Sequence, residues 1–324
     1  MGIFDKPEVV VLKESSDAKA YLERLEALQK DVSPSTRLAD AINKEIAIAR
    51  AGIIGEDAIL FELKNSGMDL VVLHDLYIET SDGRGAQIDY LVVTPYANVF
   101  IECKNLFGNI EINNKGEFIR SFSYNGHWVK EGIYSPITQN ERHLTVFRDC
   151  MGESKSAIAR AIYYKSFETY NKSFVVLSNP KTVVNDKFAV REIKQKVIRV
   201  DQLISTLKLL KTDEKSSKKA MLALGEKYLA LNHEERKEYI EKYQELLEQS
   251  KNEQTSATKL VEASQAQTDK VISNTNTNTA EESLICPWCG KQLVVRTAKK
   301  GTNEGRRFYG CTSYPACKFI KKID

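Results

Sequence analysis

The sequence predicts an α/β protein followed by a separate cysteine-bearing tail, and three observations carry that expectation. Between residues 70 and 200, short runs rich in Val, Ile, Leu and Phe alternate with stretches of helical periodicity. Residues 250–283 are dominated by Ser, Thr, Asn, Gln, Ala and Glu, a composition that buries too little apolar surface to order itself. Beyond them, four of the six cysteines cluster at the spacing of metal ligands.

Leu22, Leu25, Leu28 and then Leu38, Ile42 and Ile46 recur at helical spacing, with Ser33-Pro34-Ser35 dividing two helices. A third helix is expected from about Gly55 to Ser66-Gly67. Strands are expected over 70–78, 87–93, 98–103, 109–112, 117–122, 174–177 and 196–200, with 87–93 and 98–103 forming a hairpin through Pro95-Tyr96-Ala97. Helices are expected over 137–150 and 156–163. Residues 213–249 read as charged helix with an apolar face that includes Met221, Leu224, Leu229, Tyr239, Tyr243 and Leu247, a candidate surface for a protein partner.

The apolar share of 42% and charged share of 28% are those of a soluble globular protein, and a net charge of +3 is too small to name a partner. No apolar run approaches the ~18 residues of a membrane span, and the first residues lack the order of a secretory signal. Cys103 and Cys150 stand alone, a pattern of a reducing compartment with a metal site. The expected location is the cytoplasm, with nucleoid association in a bacterium, and no membrane partner.

Asp89 is one charge in the apolar strand Ile88-Asp89-Tyr90-Leu91-Val92-Val93. Glu102 and Lys104, two apart in Phe100-Ile101-Glu102-Cys103-Lys104, share a strand face, and the hairpin brings Asp89 toward it. A Glu102–Lys104 or Asp89–Lys104 ion pair would satisfy these charges structurally. Phosphodiester hydrolysis is the chemical alternative: one or two carboxylates hold magnesium or manganese, and a lysine orients water or stabilises developing charge. Cys103 points to the opposite face as a core thiol. His143 lies four residues beyond Gln139 and reads as a structural residue; His127 reads as bland, and His74 and His233 have no partner evident in the sequence.

Gly55-Glu56, Gln87-Ile88-Asp89-Tyr90, Phe100-Ile101-Glu102-Cys103-Lys104 and Pro136-Ile137-Thr138-Gln139 through His143, in that order, resemble the nuclease-related (NERD) domain of the PD-(D/E)xK nuclease superfamily. The likeness covers roughly residues 48 to 165, with Ile88 where the superfamily name has proline. It implies a restriction-endonuclease-like mixed sheet flanked by helices. It further implies Asp89 and Glu102 as ligands of a catalytic magnesium or manganese, Glu56 as an outer carboxylate, Lys104 as catalytic lysine, and Gln139 near phosphate or water.

In the tail, Cys286-Pro287-Trp288-Cys289-Gly290 is a knuckle, and Cys311 and Cys317 complete a four-thiolate set suited to one structural zinc. A β-hairpin is expected around Lys299-Lys300-Gly301, and residues 284–324 carry nine Lys or Arg against two acidic residues. Arg296, Lys299, Lys300, Arg306 and Arg307 with Tyr309 and Tyr314 are the residues expected to touch nucleic acid, cations for phosphates and rings for bases. Phe308 and Phe319 serve equally well in that role or as ribbon core. The tail resembles the C-terminal zinc finger of type IA DNA topoisomerases, although the rest of the chain is too short for that enzyme's body.

The expected organisation is therefore helices over 1–47, a nuclease-like domain over 48–210, a charged helical segment over 211–249, a linker over 250–283 and a zinc ribbon over 284–324. The expected function is a metal-dependent nuclease that prefers DNA over RNA, the alternative being a non-catalytic DNA-binding adaptor on a nuclease-derived fold.

Overall fold

The computed structural model describes residues 6–33, 36–124, 126–233, 241–248, 285–298, 306–315 and 317–322. The expected linker, Tyr239, and the ribbon turn bearing Lys299 and Lys300 lie outside them. The chain divides into two compact units, Met1–Glu253 and Gln254–Asp324.

The first unit is built on a six-stranded mixed sheet. Its strands are β1 (Val9–Lys13), β2 (Leu70–Glu79), β3 (Gly85–Val93), β4 (Asn98–Lys104), β8 (Asn171–Leu177) and β10 (Val197–Arg199), adjacent in that order. β2–β3–β4 is an antiparallel meander, while β1 runs parallel to β2, and β8 runs parallel to both β4 and β10. A parallel neighbour needs a crossover, and α3 (Pro136–Glu153) and α4 (Ala157–Tyr170) belong to the connection between β4 and β8. The short α5 (Arg191–Lys196) leads directly into β10.

The sheet is apolar on both faces, so each must be covered. Ile59, Leu60 and Leu63 of α2 (Arg37–Lys64) with Leu203 and Leu207 of α6 (Leu203–Leu209) pack on Val72, Tyr90, Val92, Val99 and Ile101. Phe147 and Met151 of α3, Phe167 of α4, and Met221 and Tyr228 of α7 (Lys218–Leu229) pack on Leu73, Ile88, Leu91 and Phe100 of the other face. Away from the sheet, Leu25 and Leu28 of α1 (Asp17–Lys30) pack on Ile42 and Ile46 of α2.

Three features differ from the sequence expectation. The second and third expected helices are one, because α2 runs unbroken through Gly55. A Cβ there would lie 2.5 Å from Ser178 Oγ and 2.9 Å from Asn105 Cβ, so the glycine serves close packing and does not start a helix. A second, four-stranded sheet also forms from β7 (His127–Ile133), β6 (Phe118–Tyr124), β5 (Asn109–Ile112) and β9 (Val184–Asn185). Finally, the apolar face expected to be open to a partner is occupied within the chain. Met221 and Tyr228 are core residues with Leu224, Leu229 and Leu231 packed beside them, and Leu247 and Tyr243 of the helical residues 241–248 join Leu25, Ile42 and Ile46.

In the second unit β11 (Leu293–Thr297), β12 (Arg307–Cys311) and β13 (Ile320–Lys322) form a small antiparallel sheet. The first two strands are the expected hairpin, and β13 adds an edge that the sequence did not suggest.

Candidate active site

The β3–β4 register pairs Tyr90 with Ile101 and Leu91 with Phe100, which sets Asp89 beside Glu102 at the open end of the hairpin. Asp89 Oδ2 accepts from the Cys103 amide at 2.7 Å, fixing the carboxylate against β4. The regular alternation of side chains breaks at this level. Ile88 and Leu91 face the same core, and so do Leu73 and Leu76 of β2. Between the latter pair, Asp75 takes a left-handed φ of 59°, a conformation costing a non-glycine residue about 1–2 kcal/mol. Its backbone oxygen accepts from Lys13 Nζ at 2.6 Å, and its carboxylate from the Gln87 amide at 2.7 Å and the Asp17 backbone at 3.0 Å. These bonds hold the kink.

Glu102 is 1% exposed. Its Oε1 pairs with Lys104 Nζ at 2.7 Å, while Oε2 faces His143 Nδ1 at 3.5 Å, and neither of those two buried atoms has a hydrogen-bond partner. Asn140, buried in α3, donates to Phe100 O, Ser173 Oγ and Phe174 O, and thereby clamps the helix on β4 and β8. Gln139 precedes it, half-buried on the same helix, one turn before His143. The expectation of Cys103 as a core thiol holds: it packs in the core under α2, with Ser178 Oγ 3.7 Å away.

Glu56 lies on α2, one residue beyond the close-packed Gly55, and its carboxylate Oε2 accepts from His74 Nε2 at 2.8 Å. His74 stacks on Tyr90 with ring centroids 4.4 Å apart, its Nδ1 lies 3.1 Å from Glu14 O, and Tyr90 donates to Glu56 O at 2.9 Å. His74 is the site residue that no sequence pattern marks: its partner is 18 positions away on another element.

The electrostatics follow from crowding. Burial, then the neighbouring Glu102 carboxylate, pushes Asp89 well above the ordinary value of 3.8, with the Cys103 amide and Lys104 opposing. Burial also raises Glu102, against the pull of Lys104. Burial alone would depress Lys104, but Glu102 and Asp89 reverse this and keep it a cation. Burial, then Lys104, lowers His143 to about 4, so its imidazole is neutral at physiological pH.

Two raised carboxyls, one with an orphaned buried oxygen, suit a hard cation: such a donor set is costly without one and satisfied by it. Asp89 and Glu102 would hold it. Among the described residues, only the four thiols form a group of three or more ligand atoms within 4.8 Å of one another, so the carboxylates are not drawn together to that degree.

In the ribbon, Cys286 Sγ lies 3.7 Å from Cys317 Sγ and Cys289 Sγ lies 3.2 Å from Cys311 Sγ. A tetrahedral zinc with bonds of ~2.3 Å needs edges of roughly 3.7 Å, so this is a zinc cage at or slightly inside its working size. The Lys291 backbone amide, then Cys311, draws Cys289 down to about 7, toward the thiolate that a metal needs. Of the residues expected to touch nucleic acid, Tyr314 is 62% exposed with Arg296 over its ring at 5.9 Å, and Arg306 and Arg307 are exposed. Tyr309 and Phe319 pack against the cysteines. Trp288, 68% exposed and edge-on to Phe319 at 5.4 Å, is an aromatic surface absent from the sequence expectation.

Residues 51–178 match the nuclease-related domain, and residues 284–324 match the topoisomerase DNA-binding C4 zinc finger. The chain carries a NERD domain. It also carries a topoisomerase-type zinc ribbon. DNA topoisomerase 1 of Methanocaldococcus jannaschii is 41% identical over 44 residues, which are 14% of this chain and 5% of that protein. The uncharacterized protein YrdD of Escherichia coli is 38% identical over 45 residues, 14% of this chain and 22% of that protein. The chain thus spans a small fraction of either relative, over stretches about the length of the ribbon. No solved structure matches it. Among the described residues no helix is long and apolar enough to cross a membrane.

Proposed function

We propose that the NERD domain is a divalent-metal-dependent phosphodiesterase of the PD-(D/E)xK type acting on DNA, and that the ribbon holds the DNA. The observation that supports this most is the convergence of Asp89, Glu102 and Lys104 at one end of the β3–β4 hairpin, with an oxygen of Glu102 buried and unpartnered. Asp89 and Glu102 hold the cation, which when bound supplies Lewis-acid charge to the phosphate. Lys104 remains charged and is placed to orient the attacking water or to steady the developing negative charge. Glu56, oriented by His74, adds an outer carboxylate, and Gln139 stands one helical turn from His143 to meet phosphate or water. In the ribbon, Arg296, Arg306 and Arg307 with Lys299 and Lys300 take phosphates, while Tyr309, Tyr314 and Trp288 offer rings to bases.

Purified protein given magnesium or manganese is expected to nick DNA, to stop with a chelator and to recover when the ion is restored. Inertness of the wild type on single-stranded, double-stranded and branched DNA with either ion would refute catalysis. One observation favours the second reading, a non-catalytic DNA-binding adaptor: Lys104 is tied to Glu102 at 2.7 Å, the pairing a retired site would keep for stability. That reading expects salt-sensitive DNA binding that vanishes with residues 284–324 and ignores Asp89.

A further inference from the structure

We propose that His143 is a nitrogen ligand of the cation held by Glu102, which makes the site selective for borderline ions such as manganese over magnesium; this rests on the divalent-metal reading above. Glu102 Oε2 and His143 Nδ1 face each other at 3.5 Å, both buried and both without a hydrogen-bond partner. An unsatisfied buried polar atom costs about 1–3 kcal/mol, and two side by side call for a cause. The gap is long for an N–H···O bond, whose usual length is ~2.9 Å.

It is the right gap for two ligands of one ion. An ion ~2.1 Å from each atom would see them at roughly 110°, near tetrahedral and a small closure from octahedral. Oε1 of the same carboxylate is already neutralised by Lys104, which leaves Oε2 as the free donor. The clamp made by Asn140 fixes α3 one turn from His143, so the imidazole is presented by a rigid element. His74, the other histidine at the site, has both ring nitrogens engaged, by Glu14 O and Glu56, and is placed to orient Glu56. A carboxylate oxygen of Glu102 alone suits magnesium and manganese alike, whereas an imidazole nitrogen beside it favours the softer ion.

The test uses the zinc-loaded full chain. Manganese bound to the wild type is expected to show, in pulsed electron paramagnetic resonance, the modulation of a directly bound imidazole nitrogen. His143→Gln is expected to lose that signal and to bind manganese about tenfold or more weakly by calorimetry, with magnesium affinity changed by about threefold or less. His127→Gln, altering an exposed histidine of β7, is expected to keep both. Bound manganese without nitrogen modulation in the wild type would overturn the proposal, as would a signal that survives in His143→Gln. If either of those contrary results appears while Asp89→Ala abolishes manganese binding, the metal site stands and only the role of His143 falls. Failure of the wild type to bind any manganese at this site would remove the divalent-metal reading and this inference together. Should His143→Gln not fold, the wild-type spectrum still decides.

Discussion

Asp89 is held where a charge is expensive, and that gives it a signature separable from any activity. Its folded-state carboxyl is raised, so the unfolded chain releases this proton at lower pH than the folded one. The contribution of this group is therefore intact below the unfolded value and is lost as pH rises through the folded one. Asp89→Asn keeps an oxygen for the Cys103 amide and removes the buried charge. In metal-free protein it should raise stability at pH 8, seen as a higher melting temperature, and should make no difference near pH 3. Lys104→Met should act in the opposite sense. It strands the buried Glu102 carboxylate, and a loss on the order of 3 kcal/mol in denaturant unfolding is expected, less if Glu102 takes up a proton. Asp89, Glu102 and Lys104 were legible because a lone charge in an apolar strand and a charge pair two apart are local patterns. His74 and the left-handed Asp75 were not, since one is defined by a helix 18 residues away and the other by bonds from Lys13, Asp17 and Gln87.

At the scale of elements, α2 couples the N-terminal helices to the site. Its first half packs Ile42 and Ile46 with Leu25 and Leu247, and its second half carries Gly55 and Glu56 onto the sheet. Gly55→Val should destabilise by roughly 2–3 kcal/mol in urea unfolding, because its branched side chain must enter the space of Ser178, Asn105 and Cys103. A wild-type midpoint would show that α2 can move off β4 freely. The β3–β4 hairpin could be read from the sequence because apolar runs flank a Pro-Tyr-Ala turn. β7 and β9 could not: Val184–Asn185 is two residues long, and His127–Ile133 is largely exposed with few apolar positions, whereas β1 does carry a local signal, the run Val9-Val10-Val11-Leu12, that the expectation above leaves out. Strands such as β7 and β9 are ordered by their neighbours, and isolated periodicity does not report that.

At the scale of the whole molecule, two units divide the labour in the proposed reading, one holding DNA and the other acting on it. Stripping zinc should unfold the ribbon and leave the melting transition of residues 1–253 in place, since a four-thiolate segment of this size folds on its metal. Paired replacement of Arg306 and Arg307 by alanine should weaken DNA binding at every sequence and lower the salt slope by about two, one for each phosphate left unneutralised. The ribbon's metal site was legible from cysteine spacing alone, whereas the packing of half-buried Tyr309 and Phe319 on the cysteines and the exposure of Trp288 depend on β13 closing the sheet. The central claim, that the NERD domain cleaves phosphodiesters with a cation at Asp89 and Glu102, is tested most directly by single-turnover cleavage of labelled DNA by wild type and Asp89→Asn. With manganese present, the account predicts a rate at least ~100-fold lower for the folded variant. Equal rates for the two proteins would contradict it.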